Sequence, residues 1–317
     1  MKKIYITRKL PEETLEDARS EYEVEMWDEE EVPVPREILL EKAKTADALL
    51  TMLTDRIDEE LLNNAPNLKV VSNLAVGYDN IDIQACRKRD IAVANTPSVL
   101  TEATADLTFG LLMATGRRLV EASNYVREGL WKSWSPMQMT GMDIYGKTIG
   151  IFGMGRIGEA VARRACGFSM KVLYHNRKPK ASAADIGATL VSKEELLREA
   201  DYVVMLTPYT KETHHFIAMK EFQQMKKTAI FINVSRGLTV NESDMYTALK
   251  DGEIWAAGLD VFEKEPIGQD HPLLTLPNVT VLPHIGSASI ATRTRMCEVA
   301  LMSIMEVLEG RRPLYEV

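Results

Sequence analysis

Short apolar runs bounded by polar turns alternate with helix-period stretches along almost the whole chain. Near-continuous runs of aliphatic and β-branched residues predict strands at 4–7, 47–53, 68–74 and 91–95, the pattern of strands buried on both faces. Helices are predicted over 11–22, opened by Pro11, and over 58–64 and 81–89. One long helix is predicted from Glu102 to about Arg118, with Leu107, Leu111 and Leu112 among its buried residues. A second strand–helix series begins at Lys147, with strands predicted at 148–152, 171–174, 202–206, 229–234, 256–261 and 279–282. A final helix is predicted over 289–308. The stretch holding Trp131 and Trp134 has no clear period.

Such alternation implies parallel sheets covered by helices on both faces. Two series imply two doubly wound α/β domains with a cleft between them. The expected division is 1–98 plus 287–317 for one domain and 99–286 for the other, the last helix crossing back to the first. The length of 317 residues suits this, at roughly 100–200 residues per domain.

Composition narrows the class. Apolar residues make up 45% and charged residues 26%, as in an ordinary soluble globular protein. The net charge of −8, without a long basic run, argues against a nucleic-acid surface and leaves room for a local positive patch. Cys86, Cys166 and Cys297 are widely spaced with no CxxC pair, so neither a disulfide framework nor a cysteine zinc site is expected, and no metal. The sequence opens on a strand-like run and has no apolar stretch of membrane length. A cytoplasmic protein with no membrane partner is expected.

The second series opens with a recognisable chemistry. Strand 148–152 leads into Gly153-Met154-Gly155-Arg156-Ile157-Gly158, and a helical pattern follows. This is GxGxxG in its required place between strand and helix. Gly153 permits the turn, Gly155 lets a pyrophosphate approach the backbone, and Gly158 allows close helix–strand packing. The helix N-terminus adds N–H groups and a partial positive charge for phosphates. Alone, the motif is also the pattern of an ordinary glycine-rich turn.

An NAD-selective site places an acid about 20 residues after the motif, for the ribose 2′-hydroxyl. Here the strand ends Tyr174-His175-Asn176-Arg177-Lys178, with no acid from Val172 onward to Lys178. Asn176 does not repel a 2′-phosphate, and Arg177 and Lys178 can bind one. NADP is therefore expected over NAD. A solvated basic loop is the plainer alternative.

Among the five histidines, His284 stands out. His175 sits in the cofactor loop, His214 and His215 in a polar connection, and His271 in a polar loop. His284 ends the last strand of the series, in Leu282-Pro283-His284-Ile285-Gly286-Ser287. Ligands of open α/β sheets bind beyond the carboxyl ends of strands. Arg236, after the strand 229–234, and Asp260 and Glu265, after the strand 256–261, occupy matching ends. These four residues could converge on one site, with a proton donor near neutral pH and a cation for an anionic substrate. Each taken alone is also compatible with an ordinary loop ion pair.

Four segments in this order resemble the D-isomer-specific 2-hydroxyacid dehydrogenase family over essentially the whole chain. They are Gly153-Met154-Gly155-Arg156-Ile157-Gly158, Asn233-Val234-Ser235-Arg236-Gly237, Gly258-Leu259-Asp260-Val261-Phe262-Glu263-Lys264-Glu265-Pro266 and Leu282-Pro283-His284-Ile285-Gly286. Trp131-Lys132-Ser133-Trp134-Ser135-Pro136 and Tyr174-His175-Asn176-Arg177 are similar to the glyoxylate/hydroxypyruvate reductase and 2-ketogluconate reductase branch.

The resemblance implies a Rossmann dinucleotide-binding domain and a flavodoxin-like substrate domain, and reduction of a small 2-keto acid by NADPH. It implies that Arg236 binds the substrate carboxylate, that His284 donates the proton, and that Glu265 orients His284. Asp260 is implied to orient the nicotinamide carboxamide, with Glu263 discounted as a decoy. The substrate loop maps to Leu74-Ala75-Val76-Gly77-Tyr78-Asp79-Asn80, with N–H groups at Val76 and Gly77 for the carboxylate, and Leu53 lines the pocket. Thr104, Thr207, Pro208 and Val234 are similar to cofactor-contacting positions. The segment around Trp131 and Trp134 is implied to be a homodimer arm that brings Trp134 to the neighbour's substrate pocket, although core or interface packing is the default for such residues. Other readings of the same fold are a phosphite, formate or phosphoglycerate dehydrogenase, an NAD(H)-sensing corepressor-like protein, and a protein with a decayed site. The glutamate at 265 counts against a formate dehydrogenase, the Asn176-Arg177-Lys178 ending against an NAD(H) sensor, and the intact Arg236, Glu265 and His284 set against decay.

Overall fold

The computed structural model describes residues 1–317 as two compact units, Met1–Leu100 with Ala288–Val317, and Thr101–Ser287. In the first unit, β1 (Lys3–Ile6), β2 (Glu23–Met26), β3 (Ala48–Thr51), β4 (Val70–Asn73) and β5 (Ala92–Ala94) form a parallel sheet in the order β2-β1-β3-β4-β5. This is the flavodoxin-like doubly wound order. Strand alternation divides the core between two faces. Tyr5, Leu49, Val71 and Val93 meet the helices Arg36–Ala43, Glu59–Asn63 and Ile83–Arg87 on one face. Ile4, Ile6, Leu50 and Val70 meet Cys297, Ala300, Leu301 and Ile304 of helix Ile290–Leu308 on the other. That helix starts at Ser289, whose Oγ accepts the Thr292 N–H (3.2 Å).

The second unit has seven strands: β6 (Thr148–Phe152), β7 (Lys171–His175), β8 (Thr189–Leu190), β9 (Tyr202–Met205), β10 (Ile230–Asn233), β11 (Ala256–Leu259) and β12 (Val279–Val281). All pair in parallel, in the order β12-β11-β10-β9-β6-β7-β8. The order reverses between β6 and β9, the switch point at which doubly wound folds bind ligands. Ile149, Ile151, Val204 and Ile232 face helices Thr101–Gly116 and Arg156–Gly167. Phe152, Val203, Met205 and Phe231 face the opposite side with helix Glu242–Lys250.

The expected strands are all present, each close to its apolar run and mostly shorter than it. Two strands, β2 and β8, lie outside the expectation. Both are edges: β2 (Glu-Val-Glu-Met) is half charged and β8 has two exposed residues, so neither carries a buried apolar run. The helix expected over 11–22 is broken into a 3-10 turn, Glu12–Thr14, and a short helix, Glu16–Glu21. Thr14 Oγ1 donates to the Pro11 carbonyl (2.7 Å), a local bond that competes with helical continuation. Helix Arg36–Ala43 is likewise additional, because only Leu39 and Ala43 of its eight residues are buried.

The long helix, Thr101–Gly116, ends short of Arg118, and its Leu107 is only half-buried. Arg118 takes a left-handed conformation (φ 53°), is braced by a two-pronged contact to Glu121 (2.8 and 2.6 Å), and turns the chain into helix Leu119–Arg127. Arg164 donates twice to Asp106 (2.8 and 2.5 Å) and so ties helix Arg156–Gly167 to helix Thr101–Gly116. At the start of helix Arg156–Gly167, a Cβ on Gly158 would lie 2.3 Å from the Gly153 carbonyl oxygen. Gly158→Ala is therefore expected to cost about 1–3 kcal/mol by overpacking. Urea unfolding measures this, and a wild-type midpoint would contradict the contact.

Candidate active site

The glycine-rich turn leaves β6 through Gly153, whose φ of +99° lies in the left-handed region that favours glycine. Gly155 caps helix Arg156–Gly167, and a Cβ there would meet nothing within 4 Å, so the backbone at the helix N-terminus faces open space. Gly158 provides the close packing described above. Met154 is buried in the core and donates its N–H to Asn176 Oδ1 (2.8 Å), so Asn176 fixes the shape of the turn from the end of β7. Ile157 is half-buried, and Arg156, Arg177 and Lys178 are exposed. His175 bonds the Val191 carbonyl through Nδ1 (3.0 Å), a structural role.

Three adjacent strand ends then build a second cluster in the same unit. After β10, Asn233 Oδ1 accepts the Ser235 N–H (3.0 Å) and hydroxyl (2.9 Å), and Asn233 Nδ2 donates to the Arg236 carbonyl (3.1 Å). This turn presents Arg236, half-buried, whose Nη1 donates to the Ser235 carbonyl (2.9 Å). A Cβ on Gly237 would lie 1.8 Å from the Phe262 carbonyl carbon, so the loop after β11 passes directly over the residue following Arg236.

Asp260, fully buried at the end of β11, donates its N–H to the Asn233 carbonyl (2.9 Å) and accepts the His284 N–H on its own carbonyl (2.9 Å). Its Oδ1 accepts the Ile285 N–H (2.8 Å), while Oδ2 is buried without a hydrogen-bond partner. Burial pushes the Asp260 carboxyl up, against N–H groups of Ile285 and Gly286 and the imidazole of His284.

His284 is held at φ 54°, a left-handed conformation that costs a non-glycine residue about 1 kcal/mol. Its Nδ1 lies 2.6 Å from Glu265 Oε2, and Glu265 Oε1 accepts the Phe262 N–H (3.0 Å). Burial raises the Glu265 carboxyl, but the His284 contact, the Phe262 N–H and the nearby Arg236 charge together hold it below its ordinary value. An Nδ1 engaged by a carboxylate leaves Nε2 as the atom available to a substrate.

The remaining expected cofactor positions lie on this unit too. Thr104 and Val234 are nearly buried, with Thr104 Cγ2 and Val234 Cγ1 each 3.5 Å from where a Cβ on Gly286 would sit. Thr207 is half-buried and Pro208 lies beside it after β9. A nicotinamide dinucleotide fits these groups. The open backbone at Gly155 suits a pyrophosphate, and the unpartnered acceptor Asp260 Oδ2 suits an amide donor such as a carboxamide.

In the first unit, the loop after β4 is shaped by buried amides that the apolar pattern does not reveal. The Ala75 carbonyl accepts the Thr96 N–H (2.9 Å), the Val76 carbonyl accepts Asn95 Nδ2 (2.8 Å), and the Gly77 carbonyl accepts Asn73 Nδ2 (2.8 Å). A trans peptide sets its N–H opposite its carbonyl. The N–H groups of Val76, Gly77 and Tyr78 therefore turn away from these partners and form a run of donors of the kind that binds anions. Tyr78 shares this backbone geometry with Val76 and Gly77. The signal is present in Asn73 and Asn95, polar residues at the ends of apolar runs. Leu53 is half-buried after β3. Trp134 is 77% exposed in irregular chain, and Trp131 is 56% exposed nearby.

Residues 109–286 match the family described as D-isomer specific 2-hydroxyacid dehydrogenase, NAD binding domain. The chain is 48% identical over 313 residues to a glyoxylate reductase from Korarchaeum cryptofilum, covering 98% of this chain and 94% of that protein. A solved structure from Thermus thermophilus matches with a TM-score of 0.94 at 45% identity, over 99% of both chains. An NADPH-dependent glyoxylate/hydroxypyruvate reductase from Sinorhizobium meliloti, solved with NADP and malonate, matches with a TM-score of 0.86 at 32% identity, over 100% of this chain and 96% of its own. The chain belongs to the D-isomer specific 2-hydroxyacid dehydrogenase family. Its chemistry is NAD(P)-dependent and acts on the 2-keto acid and 2-hydroxy acid pair.

Because Glu265 is held below its ordinary value when folded, its contribution to stability is present above the unfolded glutamate value, about 4.3. That contribution is lost as pH falls through the lowered folded value. The gap in melting temperature between wild type and Glu265→Gln is expected to narrow steadily from about pH 6 to about pH 3. A gap that stays constant or widens would show that Glu265 is not stabilised as a carboxylate.

Proposed function

We propose that this enzyme reduces a small 2-keto acid to the 2-hydroxy acid with NADPH, glyoxylate being the first candidate and hydroxypyruvate and 2-ketogluconate the next. The Glu265–His284 contact of 2.6 Å carries the reading, since it supplies an oriented imidazole at the end of β12. When bound, the nicotinamide supplies the hydride that reduces the keto carbon. His284 gives the proton on Nε2 to the carbonyl oxygen as the new C–H bond forms, and recovers a proton from solvent. Glu265 holds the ring through Nδ1 and so fixes the direction in which Nε2 faces. Arg236 grips the substrate carboxylate and polarises the keto oxygen through its forked donors. Asp260, through Oδ2, orients the carboxamide. The N–H groups of Val76, Gly77 and Tyr78 are assigned to the substrate carboxylate, and Leu53 to the pocket wall.

Preference for NADPH is supported by the end of β7. Asn176 is neutral and engaged with the glycine turn, and the exposed Arg177 and Lys178 can meet a 2′-phosphate. We assign Thr104, Thr207, Pro208 and Val234 to the cofactor as well. The three cysteines are free, which suits the reducing cytosol. Steady-state kinetics with glyoxylate, hydroxypyruvate, 2-ketogluconate and pyruvate should show kcat/KM at least about tenfold higher with NADPH than NADH. Arg236→Ala and His284→Ala should each lower kcat at least about 100-fold. Near wild-type turnover in either would remove its assigned role. Tight NADPH binding without turnover of any of these acids would favour a sensing protein instead.

The enzyme is proposed to act as a homodimer. Val120, Val126, Leu130, Trp131, Trp134 and Met137 are exposed together on helix Leu119–Arg127 and the chain that follows it, beside a groove of about 640 Å³. Exposed apolar side chains concentrated in one stretch of chain favour a protein contact. Trp134 is assigned to the neighbour's substrate pocket. Light scattering should give twice the chain mass for wild type and a large monomer fraction for Val126→Asp/Leu130→Asp; a monomeric wild type would refute the dimer.

A further inference from the structure

Glu263 lies on the same loop as Glu265 and two residues before it, yet belongs to a separate cluster. Its Oε1 accepts the Glu242 N–H (3.1 Å), and the Glu242 Oε1 accepts the Glu263 N–H (2.8 Å), so the two residues clasp each other backbone to side chain. His215 Nε2 lies 2.8 Å from Glu263 Oε1, and His271 Nε2 lies 3.4 Å from Glu242 Oε2. His271 also packs edge-on against Phe262, with ring centres 5.9 Å apart. His215 itself is held at φ 47° by its N–H bond to the Leu238 carbonyl (2.9 Å). Four titratable side chains from separate segments thus gather around Phe262 and Glu263, and one of them, Glu242, accepts the N–H of the peptide between these two residues.

That peptide is the point where the halves of the catalytic set meet. On one side it passes directly over Gly237, the residue after Arg236. Across Phe262, the N–H of the preceding peptide is the donor that seats Glu265 Oε1, and Glu265 seats His284. A shift of the 262–263 peptide would therefore be transmitted to the carboxylate that orients the imidazole. A misplacement of about 1 Å costs turnover out of proportion to its effect on binding.

We infer that Glu263, clasped by Glu242 and flanked by His215 and His271, is a positioning residue that sets the Glu265–His284 pair against Arg236. The inference rests on the roles proposed above for Glu265 and His284. It differs from a general stabilising role, because the glycine turn and the end of β7, where the dinucleotide is assigned, share no residue with the clasp. Loss of the clasp should slow the proton-transfer step and leave NADPH binding alone.

The test uses the full-length enzyme with Glu263→Ala, Glu263→Gln, Glu265→Ala and the exposed loop neighbour Lys264→Ala. Glu263→Ala is expected to lower kcat about tenfold or more, with NADPH affinity by fluorescence titration unchanged within about twofold. The pH at which turnover is half lost on the alkaline side should move down. Glu263→Gln keeps an acceptor for the Glu242 N–H and should recover most of kcat, and Lys264→Ala should match wild type. If Glu265→Ala collapses turnover while Glu263→Ala keeps kcat within about twofold and an unshifted profile, the positioning role is wrong and the catalytic assignment stands. If Glu265→Ala is itself near wild type, the catalytic assignment fails and takes this inference with it. A Glu263→Ala enzyme in which NADPH affinity, melting temperature and kcat fall together would also overturn it, by showing a purely structural residue.

Discussion

A carboxylate with no solvent exposure ties together three strand ends of the nucleotide-binding unit. Asp260 donates its N–H to the end of β10, accepts the His284 N–H beyond β12 on its carbonyl, and accepts the Ile285 N–H on Oδ1. Burying a charge is expensive unless hydrogen bonds replace its water. Here only part of that replacement is internal, since Oδ2 remains without a partner. The same side chain that organises the site therefore leaves one strong acceptor uncommitted within it. Glu265 is seated by the Phe262 N–H and the His284 ring, and Arg236 follows the turn that Asn233 shapes.

Asparagine recurs at four of the strand ends near the proposed chemistry. Asn233 folds the Arg236 turn, Asn176 fixes the glycine-rich turn, and Asn73 and Asn95 draw in the carbonyls of the loop after β4. An amide offers both a donor and an acceptor without a net charge. The amides therefore shape these turns without adding a charge of their own beside the groups assigned to phosphate and carboxylate. Asp260 and Glu265, the acids that are present, each have a distinct task.

The parallel strands are legible in the sequence because strands buried on both faces read as uninterrupted apolar runs. The edges β2 and β8 are not, since an edge strand needs little burial and its sequence reads as loop. Helix Arg36–Ala43 escapes for the same reason, having only two buried side chains. The residues at strand ends can be picked from type and position, and the structure brings Arg236, Asp260, Glu265 and His284 together within one unit. Their supports are invisible in sequence. That Gly237 lies under the Phe262 carbonyl, or that Glu263 and Glu242 clasp each other, depends on contacts between segments far apart along the chain. Glu263 reads as a spare acid beside a catalytic one because nothing local distinguishes a residue that holds a loop from one that decorates it.

The left-handed backbone at His284 places folding and chemistry in opposition at a single position. Glycine would relieve the conformational cost there, and asparagine would reduce it, at the sacrifice of the imidazole. A laboratory selection for thermal robustness alone would weigh the relieved backbone at position 284 only against the lost contact with Glu265, with nothing to preserve the chemistry of the imidazole. Directed evolution of this scaffold therefore has to screen for turnover from its first round.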